Sequence, residues 1–207
     1  MPGRAKVKRQ MPPICRKTDI FEEIAMKRND ARVRYTQKIL KESFLKLLKE
    51  KPVNKITVKE VCELASLNRA TFYTHYSDCF DLMEKIEEEL VETFASSIRK
   101  IDSFDVRALI EAIYMMVEEN EEAFMVLVFQ GASPSILGRM VDLARASSIE
   151  SWRKQLRKAS EAELEMLYTH LSSGLMQVVV DGYGQYSREE LGRFVERIVT
   201  GSLALFC

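Results

Sequence analysis

Residues 68–76 contain the side chains best suited to contact a nucleic acid. On a helical wheel Phe72 and Tyr76 share one face, which is expected to be buried. Three small side chains point most directly away from that face: Ala70, Thr71 and Thr74. Their size allows close approach to base edges, where the methyl groups can contact thymine and the hydroxyls can donate or accept hydrogen bonds. This pattern predicts a surface that reads DNA bases.

Longer polar side chains surround this surface and could add contacts of a second kind. Arg69 can reach a guanine edge or a phosphate. Tyr73 and His75 lie on the two flanks, where a phenol and an imidazole can reach phosphates of either strand. Upstream, Thr57 begins a helix whose free N–H groups, together with the threonine hydroxyl, can bind a phosphate.

Three helices are predicted to position these residues. The first covers residues 30–50, where apolar side chains recur on one helical face. A capping box formed by Thr57 and Glu60 begins the second helix, because each side chain can satisfy a free N–H group of the other residue. A break at residues 66–68 follows, and its last residue, Asn68, is a good cap for the third helix.

Two short helices joined by a three-residue break make a helix-turn-helix, here over residues 57–76. In that motif the first helix crosses the DNA backbone and the second enters the major groove. The same corner occurs in helical proteins that never contact DNA. The motif alone therefore leaves a purely structural interpretation open.

Charge is distributed unevenly although the net charge of the 207-residue chain is zero. Residues 1–77 hold 18 Lys and Arg against 8 Asp and Glu, whereas residues 78–207 hold 13 against 23. A basic head joined to an acidic body suggests a polyanionic partner for the head alone. The alternative is a solvated basic surface without a partner.

The stretch from Ile56 to Leu82 closely resembles the amino-terminal domain of the TetR family of bacterial transcription regulators. Three groups of residues carry the resemblance: Ile56-Thr57-Val58, Thr71-Phe72-Tyr73-x-His75-Tyr76 and Asp78-x-x-Asp81-Leu82. The match covers roughly residues 30–90. Beyond it, the resemblance is one of architecture, an all-helical body of suitable length.

The resemblance implies a set of DNA-contacting residues: Thr57, Asn68, Arg69, Thr71, Tyr73 and His75. This chain also departs from the family pattern. Ser66 and Ala70 stand where the family often has glycine, and Cys79 stands where it has a phosphate-binding lysine. That phosphate contact would have to come from Lys85 or from the basic arm.

The expected organisation is all-α, with three segments. Residues 1–29 are interpreted as a flexible basic arm, with translation from Met26 as a second explanation of the same stretch. Residues 30–77 form the DNA-binding domain, and residues 78–207 form a regulatory and dimerisation domain. After a fourth helix to about residue 101, we expect helices near residues 104–120, 121–130, 134–158, 161–181 and 187–206.

The last two predicted helices carry wide apolar stripes that could pair with their copies as a four-helix bundle. The resemblance implies a homodimer at this place, and a palindromic double-stranded DNA operator would require one. The alternative is that each stripe packs into the core of its own subunit.

The resemblance further implies a small-molecule pocket inside the body, whose unknown effector would release a repressor from its operator. Aromatic, methionine and histidine side chains are the candidates for its lining: Tyr114, Met115, Phe124, Phe129, Met140, Trp152, Met166 and His170. Such residues are also ordinary core residues of helical proteins. A second function remains open, that of a DNA-bound adaptor whose body binds another protein.

Other classes of protein have no motif in this sequence. We find no Gly-rich phosphate loop, no H-E-x-x-H and no metal-ligand spacing, so the sequence predicts no enzyme, no cofactor and no metal. No window is long and apolar enough for a membrane span. The four scattered cysteines suit a reducing cytoplasm. One of them, Cys79 at a helix start, could have a lowered thiolate pKa, which makes redox regulation a minor alternative.

Overall fold

The computed structural model describes residues 17–99, 101 and 105–207, with side chains from residue 30 onward. These residues form helices joined by short connections and contain no strand, so the all-α prediction is confirmed. The α-helices are α1 (Lys17–Leu48), α2 (Val58–Ala65), α3 (Arg69–Tyr73), α4 (Cys79–Ile98), α5 (Val106–Glu119), α6 (Glu121–Phe124), α7 (Ile136–Gln155), α8 (Glu161–Gly182) and α9 (Arg188–Ala204).

The chain divides into two compact units, residues 1–39 and residues 40–207. The boundary lies within α1, so the part of this helix from Leu40 onward belongs to the second unit. The helix-turn-helix and the helical body both lie in that second unit. Helix α1 begins at Lys17 rather than near Asp30, so residues 17–29 of the predicted arm have helical backbone. Residues 1–16 of that arm lie outside the described residues.

Each helix of the helix-turn-helix head contributes buried apolar residues to its core. Five of these side chains are completely buried: Leu40 and Phe44 of α1, Val61 of α2, Phe72 of α3 and Leu82 of α4. Burying one large apolar side chain removes its surface from water and stabilises the folded state by about 1.5–3 kcal/mol. The short α2 and α3 are therefore held by packing on α1 and α4 rather than by their own helical propensity.

The body follows the predicted order of helices with one difference. The segment predicted as a single helix over residues 121–130 is the short α6 followed by a π-helical turn, Met125–Phe129. In this turn the Gln130 N–H donates to the Met125 carbonyl oxygen at 2.9 Å. The wider turn brings three consecutive side chains, Val126 to Val128, into the core.

Two ion pairs join the head, residues 30–77, to the body, and a third lies within the body. Lys41 of α1 pairs with Glu89 of α4. Lys49, just beyond α1, is 2.8 Å from Glu122 of α6. Arg139 of α7 is 2.9 Å from Glu87 of α4, whose side chain is only 12% exposed. These pairs connect α4 to α1 and to α7, and α6 to the residues just beyond α1.

Candidate nucleic-acid interface

The start of α2 is fixed by the predicted capping box. The Glu60 N–H donates to Thr57 Oγ1 at 3.3 Å, and the Thr57 N–H donates to the Glu60 carboxylate at 2.9 Å. Hydrogen bonds from Lys51 and from Thr57 lower the pKa of Glu60 to about 2. The Thr57 hydroxyl also donates to Glu60, at 2.8 Å. Its hydrogen is thus engaged within the chain, and the N–H groups of Val58 and Lys59 remain at this helix start for a phosphate.

The turn between α2 and α3 depends on an unusual backbone conformation. Ser66 has a φ of 54°, in the left-handed region that favours glycine. It ends α2, and the Leu67 N–H donates to the Cys62 carbonyl oxygen at 2.9 Å. Asn68 then begins α3 by accepting a hydrogen bond from the Ala70 N–H at 2.8 Å. The amide nitrogen of Asn68 remains available as a donor.

Helix α3 presents the predicted faces, although it is shorter than expected. Phe72 and Tyr76 are buried, at 0% and 4% exposure. The α-helix ends at Tyr73, because the next turn tightens and the His75 N–H donates to the Phe72 carbonyl oxygen at 2.9 Å. The predicted contact residues lie on the outer side of this segment. Arg69, Ala70, Tyr73 and Thr74 are exposed, and Thr71 and His75 are half-buried.

The hydrogen-bonding capacity of this surface is partly used within the chain. Thr74 Oγ1 donates to the Thr71 carbonyl oxygen at 2.6 Å, so Thr74 offers an acceptor and a methyl group. Arg69 is exposed at the first position of α3. The ring of Tyr73 meets the edge of Phe72 with 5.7 Å between centroids, while its side chain is 58% exposed. A long cation and a phenol thus flank small side chains on the outer face of α3.

The structure is inconsistent with a reactive thiol at Cys79. This side chain is 5% exposed. Burial raises the pKa of Cys79 to about 11, and the neighbouring Asp78 carboxylate adds to the shift. The prediction of a lowered pKa for Cys79 at this helix start is therefore wrong, because desolvation outweighs the helix dipole.

We expect iodoacetamide to alkylate the exposed Cys207 of the native protein while Cys62 and Cys79 stay unmodified, since both of these thiols are buried and have raised pKa values. Mass spectrometry of proteolytic fragments would locate the label. The same protein unfolded in urea is the control, in which Cys62 and Cys79 should react as well. Labelling of Cys79 at the rate of Cys207 would contradict the buried position.

The body contains a cavity of about 840 Å³ between α4, α5, α7, α8 and α9. Of the eight residues predicted to line a pocket, the structure places Trp152 there and the other seven elsewhere. Tyr114, Phe124 and Met140 are buried away from the cavity, and Phe129 is half-buried and stacks on Tyr183. Three others are exposed on the surface: Met115, Met166 and His170.

The actual lining of the cavity is mostly aliphatic, with a group of serines. Ile110, Leu171 and Val199 are typical of its apolar wall. Four serines contribute the polar part: Ser147, Ser148, Ser151 and Ser172. The sequence-based candidates were chosen by residue type and did not include these positions. A cavity arises where packed helices leave a gap, which the type of a single residue does not indicate. No signal in the sequence marks that gap.

The predicted stripe on the last helix is divided between two environments. Leu191, Val195 and Val199 of α9 are buried within the chain. Phe194 and Ile198 are 48% and 38% exposed, and Leu205, just beyond the helix, is 77% exposed. One side of the apolar stripe thus packs into the core of the subunit, and the other side forms an apolar row on the surface.

Comparisons with known proteins identify the fold. No protein-family model matches the chain. YxbF, an uncharacterized HTH-type transcriptional regulator of Bacillus subtilis (strain 168), is 28% identical over 101 residues, which cover 44% of this chain and 26% of YxbF. The chain thus matches about a quarter of the length of that relative.

Two solved structures match most of the chain. The dihydroxyacetone kinase operon activator DhaS has a TM-score of 0.58 at 18% identity, and a TetR transcriptional regulator from Streptococcus agalactiae 2603V has a TM-score of 0.60 at 21% identity. Each comparison covers 83% of this chain and 97% of the other. The protein therefore has the fold of TetR-type transcription regulators, a helix-turn-helix head followed by a helical body. Within the described ranges, no helix has the length and apolar character needed to cross a membrane.

Proposed function

We propose that this protein is a transcription regulator that binds double-stranded DNA through α3. The outer face of α3 carries the proposal, since Arg69, Ala70, Tyr73 and Thr74 are exposed while Phe72 anchors the helix in the core. Residues 30–77 would form the DNA-binding part and residues 78–207 the regulatory part. In this arrangement α3 lies in the major groove, and the free N–H groups at the start of α2 meet a phosphate.

Arg69→Ala should weaken specific binding by about 1–3 kcal/mol and relax the base preference at one position of each half-site, because a guanidinium can read guanine through two hydrogen bonds. Affinities for the preferred duplex and for its single-base variants would measure both effects. Tyr73→Phe is the matched control, since it removes a hydroxyl placed for a phosphate and should lower affinity for every sequence alike. Uniform loss with Arg69→Ala would mean that Arg69 contacts only a phosphate.

We further propose that the protein is a homodimer formed by α8 and α9. The exposed row of Phe194, Ile198 and Leu205 supports this, because exposed apolar side chains at helical spacing are typical of an interface between helices. A second copy would bury the row and place two α3 helices on one side of the DNA. The operator should then be palindromic, with half-site centres roughly 10 bp apart or a multiple of that spacing.

Regulation by a small molecule is the proposed role of the body. The cavity supports it over the adaptor alternative, for which we expect a solid core. An effector bound there would favour a spacing of the two heads that no longer fits two successive grooves, and would so release the DNA. This mode corresponds to a repressor. DhaS, by contrast, is named as an operon activator, so a promoter reporter with and without the regulator is the test of the direction of control.

A further inference from the structure

The chemistry of the cavity wall restricts the class of molecule that can occupy it. We infer that the cavity takes an uncharged, mostly apolar, drug-sized molecule with a hydrogen-bond acceptor that partners Trp152. This inference rests on the proposed effector site and adds the chemical class of its ligand. A cavity of about 840 Å³ lies within the usual range for pockets that hold such molecules.

Within the part of the wall that the structure describes, a charged ligand meets few charged side chains. Among the described residues that line the cavity, Glu92 and Arg99 alone have an acidic or a basic side chain. Their side chains are 72% and 68% exposed and lie 3.5 Å apart, so they belong to the solvent-exposed rim and balance one another. A carboxylate or an ammonium placed deeper would lose its hydration without gaining an opposite charge, which is costly.

The pair formed by Trp152 and Tyr168 in the wall does not offer a cation site either. Trp152 and Tyr168 lie side by side, with ring centroids 5.7 Å apart. The guanidinium carbon of Arg145 already lies 5.1 Å from the centroid of the Tyr168 ring. This cation is held there by Glu165 at 3.1 Å, and it would repel a second cation brought to the same pair of rings.

The unsatisfied polar group at this wall is a donor. Trp152 is 5% exposed, and its Nε1–H has no hydrogen-bond partner among the described residues. A buried donor without a partner costs free energy, which an acceptor would recover. Because the N–H is covered by neighbouring atoms in this structure, a small rotation of the indole must accompany binding. Tyr168 does not compete for the same acceptor, since its hydroxyl donates to the Val141 carbonyl oxygen at 2.7 Å.

The serine side chains add acceptors rather than strong charges. Ser172 Oγ donates to the Tyr168 carbonyl oxygen at 2.7 Å, and Ser147 Oγ donates to the Ala144 carbonyl oxygen at 3.0 Å. Both hydroxyl hydrogens are therefore engaged in hydrogen bonds within their own helices. The polar part of this wall can orient a neutral ligand, but it cannot neutralise an ionised one.

Four matched probes test the inference by titration calorimetry on the full chain: benzophenone, diphenylmethane, 4-benzoylbenzoate and 4-(aminomethyl)benzophenone. The first two differ in the presence of one carbonyl acceptor, and the last two add a negative or a positive charge to the same frame. We expect benzophenone to bind roughly fivefold more tightly than diphenylmethane and at least about tenfold more tightly than either charged probe.

Two variants locate the effect. Trp152→Phe keeps the aromatic wall but removes the N–H, so the preference for benzophenone over diphenylmethane should disappear while diphenylmethane binds as before. Met166→Ala, on the exposed side of α8, is the control and should change neither affinity. Thermal unfolding would verify that both variants are folded.

The inference is overturned if a charged probe binds as tightly as benzophenone, if no probe binds, or if the preference for the carbonyl persists in Trp152→Phe. The comparison of charged with neutral probes uses the unaltered protein and needs no variant to fold. Each of these results leaves DNA binding by the unliganded protein unaffected, so failure of the inference is distinguishable from failure of the proposed DNA-binding function.

Discussion

Replacing Phe72 with alanine should lower the free energy of unfolding by about 3–5 kcal/mol. The ring is completely buried and contacts Tyr73 and Tyr76, with centroid distances of 5.7 Å and 5.6 Å. Its loss would leave a cavity beneath a helix of only five residues, which has little stability of its own.

Urea denaturation followed by circular dichroism measures this effect. Tyr73→Ala is the matched control, because it removes an aromatic ring from the adjacent, 58% exposed position and should cost less than about 1 kcal/mol. Equal losses in the two variants would contradict the inward and outward faces of α3, and with them the proposed base-reading surface.

The second large effect is expected on self-association. Ile198→Glu should convert the dimer into monomers and weaken operator binding on the order of 100-fold, because the two half-sites would no longer be held by one molecule. A carboxylate in the middle of the apolar row of α9 would lose its hydration in the proposed dimer, which is costly. In the monomer the same side chain is solvated, since position 198 is 38% exposed.

Analytical ultracentrifugation with parallel DNA-binding titrations would follow both changes. Thr200→Glu introduces the same charge on the same helix at an exposed position away from the row, and should leave the dimer intact. An unchanged dimer in Ile198→Glu would place the interface elsewhere. A monomeric parent protein would exclude the proposed dimer altogether.

Local patterns in the sequence were sufficient to predict the head. The spacing of Phe72 and Tyr76 separates the buried from the exposed face of α3, and the types of Thr57 and Glu60 predict the capping box that begins α2. The Thr57 hydroxyl, which was expected to contact a phosphate, instead donates to Glu60 and has no second hydrogen for a phosphate.

Features that depend on packing between helices were not predictable in this way. The pKa of Cys79 is raised because the start of α4 is buried against the head, which the position at a helix start does not indicate. The cavity lies among five helices whose relative offsets no local pattern encodes. Of the aromatic and methionine candidates, Trp152 lines the cavity, whereas Met115 and Met166 are exposed to solvent.

Selection of bound sequences from random duplex DNA, with purified protein at near-physiological salt, tests the central claim most directly. We expect one palindromic motif, with half-site centres roughly 10 bp apart or a multiple of that spacing, and an affinity that falls steeply with added salt because phosphate contacts release counterions. Recovery of DNA without any motif, or no binding at all, would contradict sequence-specific recognition by α3.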